Sequence, residues 1–218
     1  MSETITTYKI ENPEVAIPMD RDEFYREQIE KSEKGEKPDR SIEVVDVFVF
    51  DSQGEIFIQK RSDSKAHNAG MLDKTIGGHV RFGDTDDFTV MVETVQELQV
   101  PSITLRTDKD FVKTYDLLKD YLNIVAVIKH IDSKIFELEK RIKGKDVTVL
   151  NKVHLYFGIY NGSVRTVDRE AKGVLLYSLA DLERDMKISP ALFTDDLSTL
   201  IGEYRPQIEE FIRAIKIR

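Results

Sequence analysis

The sequence predicts an α/β (α+β) chain: a mixed β-sheet sandwiched between α-helices, with an extra antiparallel β element and helices toward the C-terminus. Three observations carry that expectation. Residues 42–50 are almost continuously apolar and β-branched or aromatic, the pattern of a strand covered on both faces. Residues 84–98 repeat apolar side chains at three- and four-residue steps, as a helix does. Between 121 and 160, strand-like runs follow one another and imply a substantial antiparallel element.

Taken in order, residues 20–34 form a charged segment carrying Phe24, Tyr25 and Ile29, which reads as an exposed helix stopped by Lys34-Gly35-Glu36-Lys37-Pro38. The strand at 42–50 is expected at the centre of the sheet. Asp51-Ser52-Gln53-Gly54 supplies a turn with a glycine for positive φ, so 55–61 returns as the second strand of a hairpin. Residues 62–74 read as a polar loop. In the helix at 84–98, Phe88, Met91, Val92, Val95 and Leu98 define the face expected to meet the core, and Pro101 ends it. Strands are expected at 121–131, 136–142, 147–150 and 153–160, and Asn161-Gly162 is a two-residue turn into 163–167. The tail predicts a helix at 179–186, another after Thr194, and a last one opened by Pro206 with Ile208, Phe211, Ile212 and Ile215 on one face. The chain thus divides into an N-terminal extension with a helix, 1–40, and a single domain with C-terminal helices, 41–218.

Composition bounds the function. With 40% hydrophobic and 33% charged residues the 218-residue chain can bury a core, which excludes disorder, collagen and coiled coil. Its 32 Lys and Arg against 40 Asp and Glu leave a net charge of −8, which repels phosphate backbones, so general nucleic-acid binding is not expected. No apolar run approaches the roughly 18 residues of a spanning helix, and Met1-Ser2-Glu3-Thr4 lacks the basic and apolar regions of a signal peptide. The expectation is a cytoplasmic protein with no membrane association. The absence of cysteine removes disulfides, thiolate metal sites and cysteine nucleophiles together.

The chemistry concentrates in residues 82–105, which hold five acids and neither Lys nor Arg. Asp84, Asp86 and Asp87 stand at the helix start, where capping and the positive end of the helix dipole explain them. Glu93 and Glu97 have no such explanation: one turn apart near the negative end, they repel each other. A divalent cation between them would reverse the sign, and a site of carboxylates, substrate phosphates and water suits Mg²⁺, with Mn²⁺ as a substitute. A solvated pair costing a few tenths of a kcal/mol is the alternative. Just upstream, Gly77-Gly78-His79-Val80 permits a tight bend and close approach of backbone to a ligand.

This combination resembles the Nudix hydrolase family, whose box runs G-x5-E-x7-R-E-U-x-E-E-x-G-U with U aliphatic. Laid on this chain without a gap, the box runs from Gly78 to Val100; Gly78, Glu93, Glu97 and Val100 match and Asp84 replaces Glu. Val92 stands for the family's Arg, Thr94 for an aliphatic residue, Gln96 for the middle Glu and Gln99 for Gly. The flanks resemble the family in order and spacing: Phe48-Val49-Phe50, the Gly54 turn, Ile56-Phe57-Ile58-Gln59-Lys60-Arg61-Ser62, then Gly70-Met71-Leu72-Asp73 into the glycine pair. The nearest branch is that of isopentenyl diphosphate isomerase, suggested by Arg21-Asp22-Glu23-Phe24, by Arg61-Ser62 followed by Lys65, and by Phe193-Thr194-Asp195-Asp196. The isomerase reaction itself is not expected, because its acid–base cysteine falls at Gly77.

The resemblance implies Mg²⁺-dependent water attack on a phosphorus of a nucleoside diphosphate linked to another group, or of a similar small-molecule diphosphate. It implies metal ligation by the Glu93 and Glu97 side chains and the Gly78 carbonyl, with Glu93 or Glu170 as the group that orients or deprotonates water. Arg61, Lys60 and His79 are the expected phosphate neighbours, while His67 reads as a solvated loop residue and His130 and His154 receive no role. The lost Arg and middle Glu leave a second reading open, a binding or regulatory protein of this fold with little or no turnover. Residues 109–145 would encode the substrate. The enlarged β region and N-terminal segment are consistent with a homodimer.

Overall fold

The computed structural model describes residues 3–142, 144–164 and 171–217. Its frame is a mixed sheet built around β3 (Arg40–Phe50), which runs parallel to β9 (Lys145–Ile159) in unbroken register from Ser41 opposite Leu150 to Phe50 opposite Ile159. The remaining strands are β1 (Thr4–Lys9), β2 (Asn12–Asp20), β4 (Ile56–Arg61), β5 (Leu72–Asp73), β6 (Ile76–His79), β7 (Ser102–Leu105), β8 (Ala126–Ile142) and β10 (Ala171–Tyr177). The main path runs β10-β4-β3-β9-β8-β7, with β1 and β6 also paired to β3 and β5 to β4. β3 is central and buried on both faces, as its unbroken apolar run demands.

Alternation along β3 sends Val45, Val47 and Val49 to one side, where they pack with Val90 and Leu98 of α2 (Asp86–Leu98). Ile42, Val44, Phe48 and Phe50 go to the other side, with α1 (Arg21–Glu33), α3 (Asp108–Leu118) and the C-terminal α4 (Leu179–Ile188), α5 (Asp195–Glu203) and α6 (Arg205–Lys216). Each tail helix starts where its sequence signals place it. Ser178 and Thr194 cap α4 and α5 through their side chains, and Pro206 sits in the first turn of α6, which buries Ile208, Phe211 and Ile215. Among the described residues no helix is long and apolar enough to cross a membrane.

Several elements differ from the sequence expectation. α1 is docked rather than exposed, because Phe24 and Tyr25 enter the core one after the other. β8 begins only at Ala126, since Tyr121 ends a 3₁₀ turn and accepts from Ile124 and Val125; from there it runs unbroken to Ile142. The β1–β2 hairpin, β7 and α3 have no counterpart in the expectation. α3 is a short helix opened by a Thr107 cap whose buried face is only Phe111 and Tyr115, too sparse a repeat to stand out. Ser163 and Val164 are not in a strand, and the rest of the run expected at 163–167 lies outside the described residues.

The largest correction concerns α2. Of its expected core face only Leu98 is fully buried; Phe88 is 47% exposed, Val95 52%, and Met91 is exposed as well. The helix is turned so that Thr89, Val90, Thr94, Glu97 and Leu98 face inward. The polar members of that stripe can be buried because their hydrogen bonds are internal. Thr89 Oγ1 donates to the Thr85 carbonyl (2.9 Å), Thr94 Oγ1 to the Val90 carbonyl (2.6 Å), and Glu97 accepts from Gln59.

Candidate functional site

β6 pairs antiparallel with β3, Gly78 opposite Val45 and Gly77 opposite Asp46, so its two glycines face opposite sides of the sheet. On the α2 side, a Cβ built on Gly78 would stand 2.5 Å from Glu93 Oε1 and 2.6 Å from its Cγ and Cδ. The carboxylate of Glu93 therefore occupies the space that any side chain at 78 would need. One turn on, Glu97 is buried, 6% exposed, and its Oε2 accepts from Gln59 Nε2 on β4 at 3.3 Å. Gln96 points to solvent and Val92 is half-buried. At the end of the helix Gln99 takes φ +58°, the left-handed conformation for which the resembled box has its glycine.

On the opposite side, a Cβ on Gly77 would meet Lys74 Cε at 2.6 Å and Asp46 Oδ1 at 3.3 Å. Here lies a polar cavity of about 90 Å³ whose walls include Tyr25, Asp46, Arg61, His67, Asp73, Lys74, Lys140, Asn151 and Asp196 as well as the glycine pair and His79. Lys74 Nζ is its centre, 2.9 Å from Asp46 Oδ1, 3.0 Å from Asp196 Oδ2 and 3.6 Å from Asp73 Oδ1. Arg61 Nη1 holds Asp73 Oδ2 at 2.8 Å, and Lys140 Nζ lies 3.8 Å from Asp196. α5 is pinned there because Thr194, its cap, donates to both Asp73 Oδ1 and, through its N–H, the Leu72 carbonyl. Three cations thus balance three carboxylates in a buried setting.

Burial pushes the Asp46 carboxyl up to about 6, while Asp196, equally buried, is held below the usual carboxylate range by Lys74 and Lys140. Burial would deprotonate Lys74, but Asp196, Asp46 and Asp73 together hold it charged. Asp46 Oδ2, Asp196 Oδ1 and both amide atoms of Asn151 are buried without a protein hydrogen-bond partner. Such atoms mark a polar cavity that favours polar contents.

Of the residues singled out from sequence, Arg61 and His79 line this cavity, and Gly78 forms the wall between it and Glu93. Arg61 is also tied to the His67 carbonyl at 3.0 and 3.3 Å. His79 Nε2 lies 2.9 Å from the Tyr25 hydroxyl, and burial together with Lys140 and Arg21 keeps its pKa well below the ordinary value. His67 is not a solvated loop residue: its ring packs on Tyr25 at 4.1 Å, and burial, with Lys140 and Arg61 nearby, pushes its pKa down to about 3. Lys60, half-buried on β4, does not line the cavity. Glu170 lies outside the described residues.

A second polar cluster at the start of α2 was not legible in sequence. Thr85 is the cap, its Oγ1 accepting from the Phe88 N–H, so Asp86 and Asp87 are left to reach across the fold. Arg106 donates to Asp86 Oδ1 (2.6 Å) and Asp87 Oδ2 (2.8 Å), and the Tyr156 hydroxyl lies 2.8 Å from Asp86 Oδ2. His154 of β9 and His130 of β8 stand beside Asp86, ligand atoms of all three lying within 4.8 Å of one another. No sequence spacing signals this grouping, because each member comes from a different element. A cleft of about 570 Å³ between α3, β8 and α6 adjoins this cluster, with Phe111, Phe157 and Phe211 in its floor and Arg106, Lys129 and His130 also in its lining. Part of the 109–145 stretch therefore lines a cavity.

No family model matches the chain. A curated isopentenyl-diphosphate Delta-isomerase from Serratia proteamaculans is 23% identical over 148 residues, 68% of either chain. Among solved structures, DR0079 from Deinococcus radiodurans superposes with a TM-score of 0.54 over 74% of this chain and 82% of its own, at 18% identity. A Nudix-family hydrolase from Clostridium perfringens covers 74% of this chain and 93% of its own at 15% identity and a TM-score of 0.46. The chain shares its fold, a curled mixed sheet between helices, with DR0079, and this is the architecture that the resemblance to the Nudix family implies. Within that fold its sequence likeness lies toward the isopentenyl diphosphate isomerase branch.

Proposed function

We propose that the protein is a Mg²⁺-dependent hydrolase of a small diphosphate-linked metabolite, a nucleoside diphosphate joined to another group or a similar compound. The observation that supports this most directly is the cradle at Gly78, where only a glycine leaves room for the Glu93 carboxylate against the backbone of β6. Two carboxylates and a carbonyl are the donor set a hard divalent cation takes, so Glu93, Glu97 and Gly78 would hold it. When bound, the cation supplies charge neutralisation for the diphosphate and a polarised water. Gln59 fixes the rotamer of Glu97 and keeps one of its oxygens engaged, while Glu93, less buried, is the better placed to orient or deprotonate water. Arg61 and His79 would meet phosphate oxygens from the cavity side, with Lys60 as a further cation on the same strand.

The allylic isomerase reaction is not part of this reading. The position aligned with its acid–base cysteine is Gly77, and the space its side chain would need is taken by Lys74. A second reading, a binding or regulatory protein without turnover, draws support from Arg61, whose guanidinium is already engaged by Asp73 and a carbonyl, and from the exposure of Gln96. We further propose a cytoplasmic protein with the 1–40 and 41–218 division. Mg²⁺ and Mn²⁺ titration followed by a panel of nucleoside diphosphate conjugates tests the hydrolase. Release of a nucleoside monophosphate or of phosphate, lost in Glu97→Gln, supports it, whereas metal-independent ligand binding without product replaces it with the second reading.

A further inference from the structure

We propose that Asp86, His130 and His154 form a site for a borderline transition metal of the zinc class, distinct from the Glu93–Glu97 region and serving as a clamp on the first turn of α2. The site is assembled by register. β8 carries a bulge between His130 and Asp132, and the extra residue brings His130 and Ser133 to the same side of the strand, opposite Tyr156 and His154 of β9. Ser133 Oγ then lies 2.9 Å from His130 Nε2 and 2.7 Å from His154 Nδ1.

The far side of His154 decides its tautomer. Its Nε2 lies 2.8 Å from Glu43 Oε1, and Glu43 is fixed in turn by the Tyr8 hydroxyl (2.9 Å) and Lys152 Nζ (3.3 Å). A carboxylate on one imidazole nitrogen orients the other as a lone pair, the arrangement that backs histidine ligands in metal sites. Nδ1 of His154 lies 3.3 Å from Asp86 Oδ2. Ser133 Oγ, 2.7 Å from Nδ1, and the Tyr156 hydroxyl, 2.8 Å from Asp86 Oδ2, hold these two atoms in place, and an ion bound between them would take over from both hydroxyls. For metal bonds of about 2.0–2.1 Å the edge of a tetrahedron is about 3.3 Å, so this pair already has the spacing of two ligands on one ion. Asp86 is held for the role by Arg106 on its other oxygen.

Two imidazoles and one carboxylate select Zn²⁺, Co²⁺ or Ni²⁺ over Mg²⁺, which takes oxygen and keeps its water. His130 and Asp86 are half-buried, so an ion can reach them, and a fourth position is left to water. The inference stands apart from the hydrolase reading, since none of these residues touches Gly78, Glu93 or Glu97 in any contact described above.

The test uses the tag-free full chain, stripped with chelator and titrated with Zn²⁺ and Co²⁺ alone. Expected are one equivalent bound per chain in the presence of excess Mg²⁺, and a Co²⁺ absorption spectrum of a low-coordinate nitrogen and oxygen site. His130→Gln, at the rim and therefore least disruptive, should weaken Zn²⁺ binding by at least ~10-fold, Glu43→Gln by ~10- to 100-fold through the tautomer of His154. Glu97→Gln should leave it unchanged. Absence of stoichiometric Zn²⁺ binding, full displacement by Mg²⁺, or binding undiminished in a folded His130→Gln protein would each overturn the proposal.

Discussion

Gly78 and Glu93 share one volume: the carboxylate oxygen of Glu93 lies 2.5 Å from the point where a Cβ on Gly78 would be. This contact couples the short β6 strand to the third turn of α2, and it makes the glycine a requirement of the carboxylate's position rather than of the backbone's conformation. Gly78→Ala should therefore push Glu93 aside, destabilise the fold by ~1–3 kcal/mol as other overpacked sites do, and remove most of any Mn²⁺-induced rise in Tm. Thermal melts with and without Mn²⁺ measure both effects. A variant with an unchanged metal response would show that Glu93 is not a ligand.

Glu97→Gln keeps the size of the side chain and its contact with Gln59 while removing the charge. It should abolish the Mg²⁺ and Mn²⁺ response of the hydrolase site without unfolding the protein. A wild-type chain indifferent to millimolar Mn²⁺ in the same assay would remove the hydrolase reading altogether.

Gln99 holds a left-handed conformation at φ +58° with its N–H on the Thr94 and Val95 carbonyls. A side chain there costs roughly 1–2 kcal/mol relative to an ordinary helical φ. Gln99→Gly, relieving that cost but widening the unfolded ensemble, should be net stabilising by ~0.5–1 kcal/mol. Urea midpoints are the measurement, and a destabilised variant would mean that the Gln99 side chain makes a compensating contact.

Lys74 contacts Asp46, Asp73 and Asp196 at once, and for Asp46 it is the cation that the ion pairs above supply. Lys74→Met leaves three carboxylates facing one another in a buried cavity and should cost ~3–5 kcal/mol, measured by chemical denaturation. The loss should shrink at low pH. Asp46, already raised to about 6, takes up a proton first and relieves part of the repulsion.

His67 has a folded pKa of about 3 against an unfolded value of about 6.5, so it stays neutral in the folded protein where the unfolded chain binds a proton. Its contribution is absent as a penalty above pH ~6.5, and stability falls as pH drops from there toward 3. His67→Gln should flatten the loss of stability between pH 7 and pH 5 relative to wild type. Parallel slopes in urea titrations at those two values would show that His67 is solvated.

What the sequence determined by itself is the set of features that depend on near neighbours. The unbroken apolar run of β3, the Gly54 turn, the caps Ser178 and Thr194, Pro206 at the start of α6 and the Gly77–Gly78 pair all act through φ/ψ preference or through hydrogen bonds a few residues long. Only the tertiary structure decided how those pieces turn toward one another. α2 carries two candidate faces, and docking on β3 took the one with Thr94 and Glu97 over the more apolar one with Phe88 and Val95: Val90 and Leu98 pack there on Val45, Val47 and Val49, Thr94 is satisfied within the helix and Glu97 meets Gln59. Lys74 meets Asp196, and Asp86 meets His130 and His154, across sequence distances that no local pattern encodes. Register sets them: pairing of β3 with β9, and one extra residue in β8, place charges and imidazoles within reach that are far apart in the chain.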